Sequence, residues 1–282
     1  MLIFNKKSEL SAFLSSFLKQ NKSIGFVPTM GALHQGHLSL LEKSLSENQI
    51  TVISIFVNPT QFNNVEDLDK YPRTLERDVK VIEDLNNNII IYAPDVIDIY
   101  EGNTISESFD YDGLEHQMEG KHRRGHFDGV GTIVKLLFEI IRPNNAYFGE
   151  KDFQQLQIVR KLVSKHKMQV HIQGCQIYRE ESGLAMSSRN ERLSETGKEK
   201  AALVYKILNA SKEIFKTKSV EETVSFVKKE FKKHPDFKLE YFEIADENTL
   251  LSISTKQPNK EYRAFIAVFI ENIRLIDNIS LN

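Results

Sequence analysis

Apolar positions in this chain follow two periods. Short runs at Ile24–Val27, Ile50–Val57, Ile89–Tyr92, Ala146–Phe148 and Met168–Cys175 predict strands. The stretches between them repeat at helical spacing. Leu38, Leu41 and Leu45 predict a helix over Gly36–Ser46. Arg73–Leu85 reads as a second helix, after Tyr71-Pro72 resets the backbone, and Gly129–Ile141 as a third that stops before Pro143. Asp152–Lys165 places Leu156, Val159, Leu162 and Val163 on one face; Asp152 is its expected N-cap, with Gln155 at capping-box spacing. Strands alternating with helices predict an α/β fold with a parallel sheet and helices on both faces.

The pattern changes after Cys175. Helical stretches Lys198–Phe215 and Val220–Lys232 are followed by strand-like runs Leu239–Ile244, Arg263–Ile270 and Asn272–Ile276. Helices then strands, without alternation, predict a smaller α+β domain. The expected boundary lies at Cys175–Tyr178, dividing the chain into residues 1–176 and 177–282. The basic run Lys228–Lys238 reads as a solvated helix end.

Composition narrows the classes. The 282 residues suffice for a full core, and the net charge of −2 argues against a general nucleic-acid binder. Cys175 is the only cysteine, so an intrachain disulfide and a thiolate metal cluster are both excluded. No signal peptide and no membrane-length apolar stretch is visible, so a cytoplasmic protein with no membrane partner is expected.

Five segments carry candidate chemistry. The first is Met30-Gly31-Ala32-Leu33-His34-Gln35-Gly36-His37, a glycine-containing loop entering a helix. A helix N-terminus offers free N–H groups and a positive dipole end, which suits phosphate. Two imidazoles there can donate to phosphoryl oxygens, and this HxGH turn after a first strand points to attack at a nucleotide α-phosphate. The second is Gly149-Glu150-Lys151-Asp152, at the carboxyl end of a predicted parallel strand, where open α/β sheets bind ligands. Lys151 there can neutralise phosphate, and Gln155 can bond a substrate hydroxyl or carboxylate. The third, Met186-Ser187-Ser188-Arg189, makes a polyphosphate clamp or a simple linker. The fourth, Asn58-Pro59-Thr60-Gln61, offers neutral polar groups at another strand end, or only an Asn-Pro turn. The fifth, Lys121-His122-Arg123-Arg124-Gly125-His126-Phe127-Asp128-Gly129, is a basic loop before a helix that suits a phosphate-side role or a mobile flap; the net charge does not support a nucleic-acid patch.

Together these segments resemble the pantoate–β-alanine ligase family. The matching stretches are PTMGALHQGH, VNPTQF followed by DLDKYPRT, RRGHFDGV, FGEKDFQQL, MSSRNERLS and RLIDN. The resemblance runs from about Phe26 to Asn278. The chain departs from the usual pattern at Gln35, Asn63-Asn64, Gly174-Cys175 and Ser182.

The resemblance implies a Rossmann-like nucleotide-binding domain whose ATP site is similar to that of class I aminoacyl-tRNA synthetases. It implies condensation of pantoate with β-alanine, with ATP giving AMP and pyrophosphate through a pantoyl-adenylate. Met30 to His37 would line the ATP site, with His34 and His37 on the phosphates and His37 the acid that assists pyrophosphate departure. Gly149 to Asp152 would cradle the nucleotide, with Lys151 at the reacting phosphates and Asp152 at the ribose. Tyr178 would meet adenine through its backbone, and Met186 to Arg189 would clamp the triphosphate. Gln61 and Gln155 would bind pantoate, with Gln61 also near β-alanine. Mg²⁺ is expected to bridge phosphate oxygens, with Asp78 a candidate outer-sphere contact and no direct metal ligand identified. A homodimer is implied. Two other readings remain open from the residues themselves: another small nucleotidyltransferase, and an RNA-binding module derived from a synthetase fold.

Overall fold

The computed structural model describes residues 1–282. In chain order its first part runs β1 (Leu2–Phe4), α1 (Lys7–Lys19), β2 (Ile24–Thr29), α2 (Gln35–Glu47), β3 (Ile50–Ile55), α3 (Val65–Asp69), α4 (Leu75–Leu85), β4 (Ile90–Tyr92), α5 (Val96–Tyr100), α6 (Met118–His122), α7 (His126–Ile141), β5 (Asn145–Gly149), α8 (Phe153–Lys165) and β6 (His171–Cys175). Then follow α9 (Glu195–Ala201), α10 (Leu203–Thr217), α11 (Val220–Lys232), β7 (Phe237–Asp246), β8 (Tyr262–Ile270) and β9 (Ile273–Ser280).

The first six strands form one parallel sheet in the order β1-β4-β3-β2-β5-β6. Side chains alternate across it, as strand geometry requires. Phe26, Val52, Ile90 and Phe148 join the core beneath α1, α7 and α8. Their neighbours Val27, Ile53, Ile91 and Tyr147 join the opposite core with Leu38 and Leu41 of α2 and Ile82 of α4. Both faces are therefore dry, which is why the strands read as continuous apolar runs rather than alternating ones. The expected Rossmann-like α/β fold is the observed one.

The last three strands form an antiparallel sheet, β7-β8-β9. Ala264, Ile266 and Val268 of β8 pack with α10 and α11 in a separate core. Phe265, between them, turns the other way into the core of the large sheet. The small sheet is thus seated directly against the large unit.

Several elements differ from expectation. β1 and α1 carry no predicted counterpart. The strand expected from Met168 begins at His171, where pairing with Asn145 of β5 starts. The helix expected over Lys198–Phe215 is broken at Ala202 into α9 and α10. Asp152 precedes α8 but its side chain makes no capping hydrogen bond; Glu150–Asp152 forms a turn of 3-10 helix instead, which displaces the carboxylate from capping geometry.

Candidate active site

The strand order reverses between β2 and β5: the chain builds β3 and β4 on one side of β2, then crosses to β5 and β6 on the other. Ligands of open parallel sheets bind at the carboxyl ends beside such a switch point. The loops after β2, β3 and β5 meet there and line a cavity of about 250 Å³. It adjoins a cleft of about 590 Å³ beneath β9, with Arg123, Lys151, Asp152, Ser187 and Arg189 on the walls of both.

The loop after β2 is held by one carboxylate. Gly31 and Ala32 both have positive φ, 85° and 51°. Asp78 of α4, fully buried, accepts from the N–H groups of Ala32 at 3.0 Å and Leu33 at 2.8 Å, and from Thr74 Oγ1 at 3.2 Å. A Cβ on Gly31 would sit 3.0 Å from that carboxylate. Both Asp78 oxygens accept from this loop, so the carboxylate anchors the site from behind.

The loop delivers His34 to the N-cap of α2, where the two histidines form a reciprocal capping pair. His34 Nδ1 accepts from the Gly36 N–H at 3.1 Å, and His37 Nδ1 accepts from the His34 N–H at 3.3 Å. An Nδ1 that accepts has no proton, so each neutral ring carries its proton on Nε2. The ring centroids lie 4.0 Å apart, with the planes tilted by 31°. Burial, then the Lys151 charge, lowers His34 to a pKa of about 4. Burial, then His34 and Lys151, lowers His37 to about 3. Both are neutral Nε2–H donors at neutral pH.

The loop after β3 brings Gln61 to the same cavity. Asn58, 1 % exposed, donates from Nδ2 to Gln61 Oε1 at 3.0 Å and to the Gly129 carbonyl at 3.1 Å, while its Oδ1 accepts from Tyr100 and Thr60 hydroxyls. Asn58 is therefore consumed in orienting Gln61. Gln61 Nε2 lies 3.2 Å from Met30 Sδ. Close passage of α7 permits this arrangement, since a Cβ on Gly129 would fall 2.4 Å from the Thr60 carbonyl. The same helix lines the cavity with Val130, Ile133, Val134 and Leu137, one face at helical spacing.

The turn after β5 adds Gly149, Lys151 and Asp152, with Lys151 Nζ 3.7 Å from Asp152 Oδ2. Gln155 faces the cavity from the first turn of α8. Its neighbour Gln154 is buried and holds the preceding segment, donating to the carbonyls of Leu114 and Gln117 and accepting from the Glu119 N–H. Across the opening, the Met186 N–H donates to the Tyr178 carbonyl at 3.0 Å, and Met186, Ser187, Ser188 and Arg189 complete the wall. Arg189 Nη2 lies 3.3 Å from Asp67 Oδ2 of α3.

Most of the residues singled out from sequence thus converge on one cavity. Five stand outside its wall. Gly31, Ala32 and Leu33 are buried in the loop against Asp78, and Gln35 is exposed at the start of α2. The Glu150 carboxylate turns away toward Arg263, 3.8 Å from its Nη2. Three wall residues were given no definite role from sequence: Tyr71, Arg123 and His126. The KYPRT and RRGH segments held their signal. His126 is buried and its Nδ1 donates to the Gln61 carbonyl at 2.8 Å, leaving Nε2 as the ring's acceptor. Burial, then the Arg123 charge, lowers its pKa to about 4.

Fold and cavity define a Rossmann-like α/β protein with a cavity lined by His34, His37 and Lys151 at the sheet's switch point. Comparison with known sequences places it more narrowly. The family model for pantoate-beta-alanine ligase matches residues 2–280, and the chain belongs to that family. It is 65% identical to pantothenate synthetase from Flavobacterium psychrophilum, over the whole of both chains. It is 51% identical to that from Christiangramia forsetii, again over both full lengths. A crystal structure of pantothenate synthetase from Thermus thermophilus superposes with a TM-score of 0.92 at 38% identity, covering 100% of this chain and 99% of that one. The Francisella tularensis pantoate-beta-alanine ligase, complexed with beta-gamma ATP and beta-alanine, has a TM-score of 0.79 at 36% identity, covering 100% and 98%.

Proposed function

We propose that this chain activates pantoate with ATP and transfers the pantoyl group to β-alanine, giving pantothenate, AMP and pyrophosphate. The observation that carries the reading is the pairing of two different walls in one cavity. One wall holds His34, His37, Lys151, Ser187, Ser188 and Arg189, a donor set for phosphate. The other holds neutral Gln61 and Gln155 beside the apolar face of α7, suited to a small branched hydroxy acid. Family membership and the ligands of the Francisella relative support the same reading.

A carboxylate is a poor acyl donor and must be activated first. A pantoate carboxylate oxygen attacks the α-phosphorus in line, the bond to the bridging oxygen breaks, and pyrophosphate leaves. Negative charge builds on the phosphoryl oxygens, where preorganised donors act most strongly. Lys151 supplies a point charge, and the histidine Nε2–H groups supply neutral donors in a fixed direction. The acid role that the family resemblance implies for His37 then requires its protonation after the triphosphate is in place, because burial keeps the free ring neutral. Gln61 and Gln155 hold pantoate, with the His126 Nε2 lone pair an acceptor for a hydroxyl. The β-alanine amine next attacks the acyl carbon, the bond to AMP breaks, and the amine gives up a proton. Cys175 takes no part: it is buried, and burial raises its thiol pKa to about 11.

No group of three or more His, Cys, Asp or Glu side chains is arranged to hold a metal. Mg²⁺ belongs to this proposal as part of the substrate, carried on the phosphate oxygens of ATP. The reading also divides the chain near residue 176 into a nucleotide-binding unit and a smaller clamp unit, supported by the separate core around α10, α11 and β8. Gly149, Asp152 and Tyr178 are assigned to the nucleoside end, and Met186 to Arg189 to the triphosphate. Homodimerisation and a cytoplasmic location, implied by the family resemblance, belong to the same proposal. Sedimentation velocity checks the first.

The deciding assay uses purified protein. Pyrophosphate release from ATP must depend on pantoate, and AMP release must depend on β-alanine. Pyrophosphate release that is indifferent to pantoate overturns the reading in favour of another nucleotidyltransferase.

A further inference from the structure

We infer that Asn278 of β9 is a positioning residue that sets the turn carrying Lys151. The inference rests on Lys151 acting at the phosphates, as proposed above. Asn278 is 1 % exposed, yet every group on its side chain is satisfied. Its Nδ2 donates to two successive carbonyls, those of Glu150 and Lys151, both at 2.9 Å. No other side chain donates to either. Its Oδ1 accepts from Arg263 Nη1 at 2.7 Å. A guanidinium only donates, so Oδ1 must face Arg263 and the two N–H groups must face the turn. The amide has one orientation, and in it the Lys151 backbone is gripped.

Arg263 is itself braced. Its Nε donates to Glu247 Oε1 at 2.9 Å, and its guanidinium lies 3.9 Å over the ring of Phe153, the first residue of α8. The turn is therefore held at its carbonyls by Asn278 and at its exit by Arg263, both from the small sheet. Asp277, next in the strand, does different work: it forms a bidentate pair with Arg179 at 2.7 and 2.9 Å, beside Tyr178. Lys151 points its side chain into the cavity while its carbonyl faces Asn278, so the asparagine fixes the base from which the ammonium reaches. Rates respond steeply to such placement, with about 100-fold lost for a displacement of about 1 Å.

Pantoate-dependent ATP–pyrophosphate exchange tests this with Asn278→Ala, Asn278→Asp, Lys151→Ala and the Asn278→Ala, Lys151→Ala double variant. We expect Asn278→Ala to lower kcat about 10- to 100-fold with pantoate KM nearly unchanged. The double variant should be no slower than Lys151→Ala alone, because the asparagine acts only through the lysine. A purely structural role would lower the folded fraction in both backgrounds, and the losses would multiply; that result overturns the inference. Asn278→Asp keeps the shape and the Arg263 contact but sets an acceptor against two carbonyls. It should fold and lose at least as much rate, and a wild-type rate in it also overturns the inference. If Lys151→Ala itself turns over normally, the role given to Lys151 fails and the inference falls with it. If Lys151→Ala is impaired and both Asn278 variants are not, only the inference fails.

Discussion

The His34 and His37 rings lie 4.0 Å apart between centroids, tilted by 31°, and each spends Nδ1 on a backbone N–H of the same helix entry. Both tautomers are thereby set by local structure before any ligand binds. The useful proton of each ring sits on Nε2.

A glutamine places its amide N–H near the position of a histidine Nε2–H. His37→Ala should lose about 100- to 1,000-fold in pantoate-dependent pyrophosphate exchange, the usual cost of one oxyanion donor. His37→Gln should recover a clear part of that loss. Equal losses in the two variants would show that His37 acts as an acid rather than as a neutral donor.

Acid stability follows from the same burial. His34, His37 and His126 are held near pKa values of about 4, 3 and 4, against 6.5 when unfolded. Between those limits the unfolded chain takes up protons and the folded chain does not. Stability should therefore fall as the pH drops from about 6.5 toward about 3. Glu119 adds a second window. Burial works against its carboxylate, but the hydrogen bonds and charge of Arg274 win and lower it to about 2. Its contribution is complete above its ordinary value of 4.5 and is lost as pH falls from there to about 2. Urea midpoints measured across this range check the sign, and His126→Gln should flatten the upper part of the curve.

Gln61 and Gln155 face the part of the cavity assigned to pantoate. Their alanine variants should raise the pantoate KM by about 10- to 100-fold, the cost of leaving buried polar partners unpaired. The ATP KM should move little. Initial-rate kinetics with each substrate varied separate the two, and a rise confined to ATP would reverse the assignment of the walls.

Gly129→Ala should be costly although it adds one methyl group. The new Cβ meets the Thr60 carbonyl and the Gln61 N–H, at 2.4 and 2.6 Å. Backbone must shift to admit it, at about 1–3 kcal/mol by chemical denaturation. Because the shift displaces Gln61, the pantoate KM should rise with it.

The large sheet was legible because its strands are buried on both faces and separated by helices with clear periodicity. β1 was not, since Leu2–Phe4 is too short to show any period. α1 could have been predicted: Leu10, Phe13, Leu14 and Phe17 recur at helical spacing, and the first and third are buried. The site was legible where a residue type announces its chemistry, as with His34, His37 and Lys151. It was opaque where function depends on contacts distant in the chain. Nothing near Asp78 shows that it binds a loop more than forty residues earlier, and nothing around Asn278 shows that it meets Glu150 and Lys151. The α7 face was visible as a helix stripe, but a stripe does not say whether it meets protein or substrate.

The uncharged state of the two paired histidines bears on how the proposed site empties. Four fixed cations around a triphosphate would grip the departing pyrophosphate as firmly as the substrate. An uncharged imidazole can donate to a phosphoryl oxygen without adding a fixed positive charge to that grip. In the mechanism proposed above, burial of these rings supplies direction at the moment of bond breaking without a fixed charge that would retain the product.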